Sequence, residues 1–248
     1  MIVVKYEILK YLRGKKLLVF IALTALILGL LTAMPYIFGD GLPKESFDLM
    51  LFYVSFSKML IILAVTLFAA DSLASEYEYR TGLLLFPRPI KREAMFAGKF
   101  IASYLVSAMM ILLFYVSVFI ISFIVTGGVV SEGFISLAFS LLLIFAATGL
   151  GFMLSAFIAR GNTASIMLFA LMLMVFPIID HALMAAEIEP FFSLSYSADV
   201  VYFAVAAGVD TYLPYDYYPE LVTSAFVLAF WSLLTIAIAV TKFKRREF

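Results

Sequence analysis

Between Asp71 and Lys99 the chain runs DSLASEYEYRTGLLLFPRPIKREAMFAGK, with five basic residues (Arg80, Arg88, Lys91, Arg92, Lys99) among four acids (Asp71, Glu76, Glu78, Glu93). The chemistry these types offer is recognition. Charges of both signs orient a partner, and Tyr77, Tyr79 and Leu83–Phe86 give it apolar contact. Ser75 followed three residues later by Glu78 fits a capping box, which predicts a short helix starting near residue 76. Gly82 loosens that helix, and Pro87 and Pro89 forbid its continuation. Ile90–Lys99 then reads as a second amphipathic piece. The rival reading is that the Lys and Arg residues only enforce topology, which explains the positive charge but not the acids and aromatics of EYEYR.

Elsewhere the sequence is poor in reactive groups. The lack of cysteine excludes disulfides, thiol chemistry and Cys-based metal sites, and a single histidine, His181, rules out any site needing two imidazoles. No G-x-x-x-x-G-K-[ST] run is present to cradle ATP. No catalytic or metal-binding residue is therefore expected. Lys58 lies inside an apolar run, where a charge is costly and often functional. Yet a Lys about six residues, or ~9 Å, from the membrane edge can snorkel to the surface, so ion pairing, substrate contact and snorkelling are all open. Asp180-His181 reads as the outer end of a span rather than as a proton relay. Gly149, Gly151 and Ser155 read as small residues at a close helix contact.

Composition sets the frame that positions these residues. The 248 residues are 65% apolar and 14% charged, with a mean hydropathy of +1.11, whereas a soluble domain carries about 25% charged residues. The chain therefore reads as a polytopic membrane protein. Six runs, 17–38, 49–70, 99–126, 134–158, 163–180 and 220–241, are long enough, or nearly so, to cross ~30 Å of hydrocarbon as helices. The fifth is the shortest and contains Pro177, which predicts a kinked or unwound outer end. Fifteen of the seventeen Lys and Arg fall in the N-terminal tail, the 71–99 loop, the 159–162 turn and the C-terminal KFKRREF, while the opposite loops are acidic. The positive-inside rule then puts both termini in the cytoplasm.

Residues 1–16 set Val4, Ile8, Tyr11 and Leu12 at helical spacing, with Lys5, Glu7, Lys10 and Arg13 mostly elsewhere. That pattern fits an amphipathic helix in the membrane interface; the alternative is a positive flank that merely orients the first span. Leu17–Phe38 exceeds a signal-peptide core of ~7–15 residues and no A-x-A site follows, which argues against cleavage. The last outer loop, 183–219, has no Lys or Arg, nine aromatics and an apolar patch at Val200–Ala207. Its length predicts short helices dipping into the outer interface, or else an aromatic belt that only anchors. With no heptads, low-complexity tracts or tandem repeats, residues 1–248 read as one membrane domain.

The run EYEYRTGLLLFPRPIKREAMFAGKF resembles a loop of ABC-2 type transporter permeases. In that family an acidic pair precedes a Thr/Gly step, a leucine-rich run, a proline, a basic residue and a Gly-Lys opening the third span. Glu76, Glu78, Thr81, Pro89, Arg92, Gly98 and Lys99 match in order, with the usual Gly-Thr standing as Thr81-Gly82. The six-span layout, amphipathic N-terminus and aromatic loop before the last span are also similar. The resemblance implies an all-α, six-span permease of the ABC-2 (type V exporter-like) fold in the plasma membrane, paired with a second permease half and surrounded by lipid. It implies that a separate ATP-binding cassette ATPase docks on the 71–99 loop through Glu76, Tyr77, Glu78, Arg80, Thr81, Gly82, Pro89 and Arg92. The chain would then be no enzyme and hold no cofactor, since ATP belongs to the partner subunit, and it would bind no nucleic acid. The expected cargo is an amphipathic, drug- or lipid-like molecule or an ion. A rival is an ion-coupled secondary transporter using Lys58 or intramembrane acids, although no acid lies centrally in a span and no inverted repeat is visible. An intramembrane hydrolase would need His pairs or a supported nucleophile that the chain lacks.

Overall fold

The computed structural model describes residues 2–39, 41–78, 92–207 and 217–245, apart from the side chains of Ile2, Glu76 and Tyr77. These residues are all-helical. In chain order the helices are α1 (Ile2–Arg13), α2 (Lys15–Phe38), α3 (Ser46–Val54), α4 (Ser57–Phe68), α5 (Ala74–Glu78), α6 (Arg92–Thr126), α7 (Glu132–Phe157) and α8 (Gly161–Ala170). A π-helical turn, Leu171–Val175, leads to α9 (Phe176–Ala185), followed by α10 (Leu194–Ala198), α11 (Val200–Ala206) and α12 (Leu221–Arg245). Six helical segments are long and apolar enough to cross a membrane: α2, α3 with α4, α6, α7, α8 with α9, and α12. The protein is a multi-pass, all-α membrane protein.

The spans fall where hydropathy predicts them, with three departures. The third begins at Arg92 rather than near residue 99. Its 35 residues rise about 52 Å at ~1.5 Å each, so it overruns a ~30 Å hydrocarbon core and Lys99 lies inside the helix. The second is broken at Ser55 and Phe56. There Ser55 Oγ donates to Phe52 O (2.7 Å), Ser57 Oγ donates to Val54 O (2.6 Å), and Phe56 N–H reaches back only to Tyr53 O (3.2 Å). Serine bonds to nearby carbonyls compete with the helical ladder and bend it. The fifth keeps its helix to Ala185 instead of unwinding. Pro177 lacks an N–H and crowds the preceding turn, and the wide π turn just before it takes up the misfit.

α7 forms the middle of the packing. Gly149 abuts Thr235 of α12, where an added Cβ would overlap the Thr hydroxyl, and Gly151 sits against Leu168 and Ala69. These small residues are packing positions, as their spacing predicts. Phe96 and Phe100 of α6 meet Phe152 of α7 edge-on, with ring centroids 5.4 and 5.3 Å apart, and Phe243 of α12 lies 5.9 Å from Phe96. α2, by contrast, buries only Phe20, Thr24 and Leu31.

Both described chain ends share one end of the bundle, here termed the terminal face. Lys244 of α12 pairs with Glu93 of α6 at 2.6 Å, and Lys16 of α2 pairs with Asp71 at 2.5 Å. The opposite end is the far face.

Candidate functional site

On the terminal face, α5 is anchored by neighbours. The backbone N–H groups of Leu73 and Ala74 donate to Ser155 Oγ, at the end of α7, over 3.0 and 2.7 Å. The first amides of a helix have no partner within it, and here a serine from another span caps them. The expected capping box does not form. The helix starts at Ala74 rather than near residue 76, and Ser75 N–H bonds Asp71 O at 2.9 Å. Glu78 closes α5, and its Oε2 accepts the N–H of Gly161 at 2.9 Å. It thus caps α8, where the helix dipole also favours a carboxylate. Gly161 lies close against Asp71, since a Cβ there would stand 3.1 Å from Asp71 Cβ, tighter than an ordinary contact. Asp71 is held in turn by Lys16, which also donates to Leu67 O at 3.1 Å. α5 is thereby tied to α7 and α8, and the turn leading into it is tied to α2.

The expected docking residues divide unevenly. Glu78 is exposed and caps α8 with one carboxylate oxygen, and Arg92 Nη1 donates to Lys244 O at 3.1 Å. Glu76 and Tyr77 have their backbone in α5. Arg80, Thr81, Gly82 and Pro89 lie outside the described residues, as do Tyr79, Leu83–Phe86 and Pro87.

α1 docks on α6 rather than merely flanking it. Gly98 permits the approach, because a Cβ on it would stand 2.7 Å from a Val3 methyl. The next residue, Lys99, is buried and pairs with Glu7 Oε1 at 2.7 Å, while Lys10 sits 3.7 Å from the other carboxylate oxygen. Tyr11 donates to Phe68 O at 2.7 Å and shares a 3.0 Å hydrogen bond with Ser103. Burial raises its hydroxyl above the ordinary phenol range. Val4 and Ile8 pack inward as their spacing predicts, whereas Leu12 is exposed.

On the far face, the break in the second span sets Lys58 on the first turn of α4. Its Nζ lies 2.6 Å from Asp199 Oδ1 and donates to Ser195 O and Oγ at 3.0 and 3.3 Å. Of the open readings for Lys58, this geometry selects ion pairing over snorkelling. α10 and α11 provide these partners. The 183–219 loop does form short helices, and they pack against the bundle. Leu194, Ala198, Val200, Val201 and Val205 are buried, and Ser136 of α7 donates to Val201 O at 2.6 Å. The loop aromatics split in the same way. Phe191, Phe192 and Tyr218 are exposed, Tyr196 is buried, and Tyr212 and Tyr215 lie outside the described residues. Tyr196 donates to Glu189 Oε1 at 2.8 Å. Its hydroxyl is raised by burial, then by that bond and by the charges of Glu189, Asp199 and Glu220.

A cavity of about 400 Å³ opens here, lined in part by Lys58, Asp199, His181, Tyr196, Tyr202 and Phe203. Asp180 is near the end of its span, as expected, but it is buried, with the hydroxyls of Ser193 and Ser195 beside its carboxyl and no hydrogen bond of ordinary geometry to either oxygen.

Asp199 and Ser195 stand 141 and 137 positions from Lys58 along the chain, and Ser155 stands 81 from Ala74. The one signal for the first pair is general: an intramembrane lysine needs an acceptor. Which of the many outer acids supplies it is not written locally. No curated protein matches the chain. Residues 15–248 match the model of a family described as a protein of unknown function, DUF2705, and the chain belongs to that family.

Proposed function

We propose that this chain is the permease subunit of an ATP-binding cassette exporter with an ABC-2 fold. It sits in the plasma membrane with both termini cytoplasmic, pairs with a second permease half and is driven by a separate ATPase. The observation that carries this reading is the double clamp on α5. This short helix follows the second span, its first amides hang on the end of the fourth, and its last carboxylate caps the fifth. A push delivered to such a helix moves transmembrane segments, whereas a loop that only sets topology needs no such anchoring. The mixed charge of 71–99 is what a soluble partner would grip. Glu78 ties the lever to the fifth span and stays exposed, and the residues proposed to meet the ATPase are Glu76, Tyr77, Glu78, Arg80, Thr81, Gly82, Pro89 and Arg92. ATP is bound and split on the partner, and the cargo is amphipathic.

Co-purification of the tagged chain from its native membrane tests the proposal. A stoichiometric nucleotide-binding subunit is expected, lost in the double variant Glu76→Lys, Arg80→Glu and kept in Ser155→Ala. A homo-oligomer with no such subunit overturns it. The second reading, an ion-coupled secondary transporter, is favoured by the buried Asp180 near the Lys58–Asp199 pair. Gradient-driven flux in proteoliposomes holding this chain alone, without ATP, would decide for it.

A further inference from the structure

The far-face cavity has no part in the coupling proposal, and its volume of about 400 Å³ lies within the ~300–1,000 Å³ of small-molecule sites. Its wall is of two kinds. Tyr196, Tyr202, Phe203 and Met184 supply apolar and aromatic surface, while Lys58 and Asp199 bring charge.

The charge balance decides the class of ligand. Lys58 is the only Lys or Arg on the described wall, and Asp199 already faces it at 2.6 Å. That leaves Asp180. Asp180 lies behind the wall: on α9 it stands three and four positions from Pro177 and Met184, which line the cavity together with its chain neighbour His181. The charges that act on it are those of Lys58 and Asp199. Yet the residue is only 4% exposed, and the hydroxyls of Ser193 and Ser195 act on its carboxyl without either closing a hydrogen bond of ordinary geometry. A buried carboxylate met only by two loosely placed hydroxyls is a costly arrangement, and an added positive charge relieves it. Glu189 and Glu220 add to the negative field that Tyr196 feels. Aromatic faces attract cations as well. An anion would meet all of these as repulsion, with Lys58 already engaged.

We infer that this cavity binds an amphipathic organic cation. Its positive group sits between Asp199 and Asp180, and its apolar body rests on Tyr202 and Phe203. Lys58 competes for Asp199 and retreats onto the Ser195 carbonyl and hydroxyl, which it already touches. The inference stands apart from the transport proposal, because binding needs no ATPase, and either can fail without the other.

The test uses the purified full chain in neutral-detergent micelles, with tetraphenylphosphonium and tetraphenylborate, ions of like shape and opposite charge, followed by equilibrium dialysis. The phosphonium is expected to bind saturably, one per chain, without competition from the borate. Asp199→Asn and Asp180→Asn should each weaken binding by about tenfold, the scale of one lost charge contact. Lys58→Gln should tighten it by releasing Asp199, a gain that misfolding cannot mimic. No saturable phosphonium binding, borate binding of equal strength, or an affinity unmoved by all three substitutions would each overturn the inference.

Discussion

Lys99–Glu7 on the terminal face and Lys58–Asp199 on the far face are the same contact by distance, 2.7 and 2.6 Å, in opposite settings. The Lys99 side chain is 1% exposed and that of Glu7 14%, closed in where α1 lies on α6. Lys58 and Asp199 are 22% and 41% exposed and border a cavity. Burial decides what an ion pair is for. A sequestered pair is costly to break, because its survivor keeps a charge that water cannot reach. A half-open pair contributes little to stability and can exchange partners. The terminal face is built as a joint, and the far face as a place where contacts can be traded.

The largest expected effect lies in the joint. Lys99→Met leaves the Glu7 carboxylate without its main partner and should cost about 3–5 kcal/mol, seen as a fall in the unfolding temperature of the purified protein. Adding Glu7→Gln should restore part of it. If Lys58→Gln cost as much as Lys99→Met, the contrast between the faces would be broken.

Next comes Gly98→Val, which forces a side chain into Val3 and should cost about 1–3 kcal/mol by prising α1 from α6. Partial rescue by Val3→Gly, which removes both the methyl and the Cβ in the way, would tie the loss to that contact rather than to helix propensity. Ser155→Ala removes the cap on α5 and should cost about 1–2 kcal/mol. Amide exchange should rise first at Leu73 and Ala74, with the far face unmoved; uniform exchange across both faces would count against a local clamp. Lys58→Gln itself should change stability by no more than about 1 kcal/mol, given the exposure of the pair.

The smallest effect is expected to be a gain. Glu187 closes α9 at φ 60°, with its N–H on Met184 O and that of Ile188 on Leu183 O, a geometry that favours glycine. Glu187→Gly should stabilise the far face by up to about 1 kcal/mol in the same thermal assay.

Much of this architecture is legible along the chain. All six spans follow from hydropathy, because each must present apolar side chains over the thickness of the hydrocarbon whatever its neighbours are. Gly149 and Gly151 are legible for a similar reason, since only small residues allow backbones so close. The capping box misleads. Ser75 and Glu78 have the right spacing, but Ser155 takes the cap and Glu78 faces Gly161, a competition that no local pattern records. Lys58 was conspicuous as a charge in an apolar run, yet Asp199 was one acid among many.

The amino-acid order by itself therefore determined the number and placement of the spans, the all-helical class, the crowding of basic residues at one set of loops and the want of cysteine or a phosphate-binding loop. These are properties of single segments, dictated by the solvent each segment must meet. Only the tertiary structure decided that Ser155 holds α5, that Lys99 is sealed against Glu7, and that Asp199 reaches Lys58 while Asp180 is buried behind the cavity wall. Those outcomes depend on which helices lie side by side. A hydrogen bond or ion pair acts over about 3 Å, while the sequence separation of its partners here runs to 152 residues.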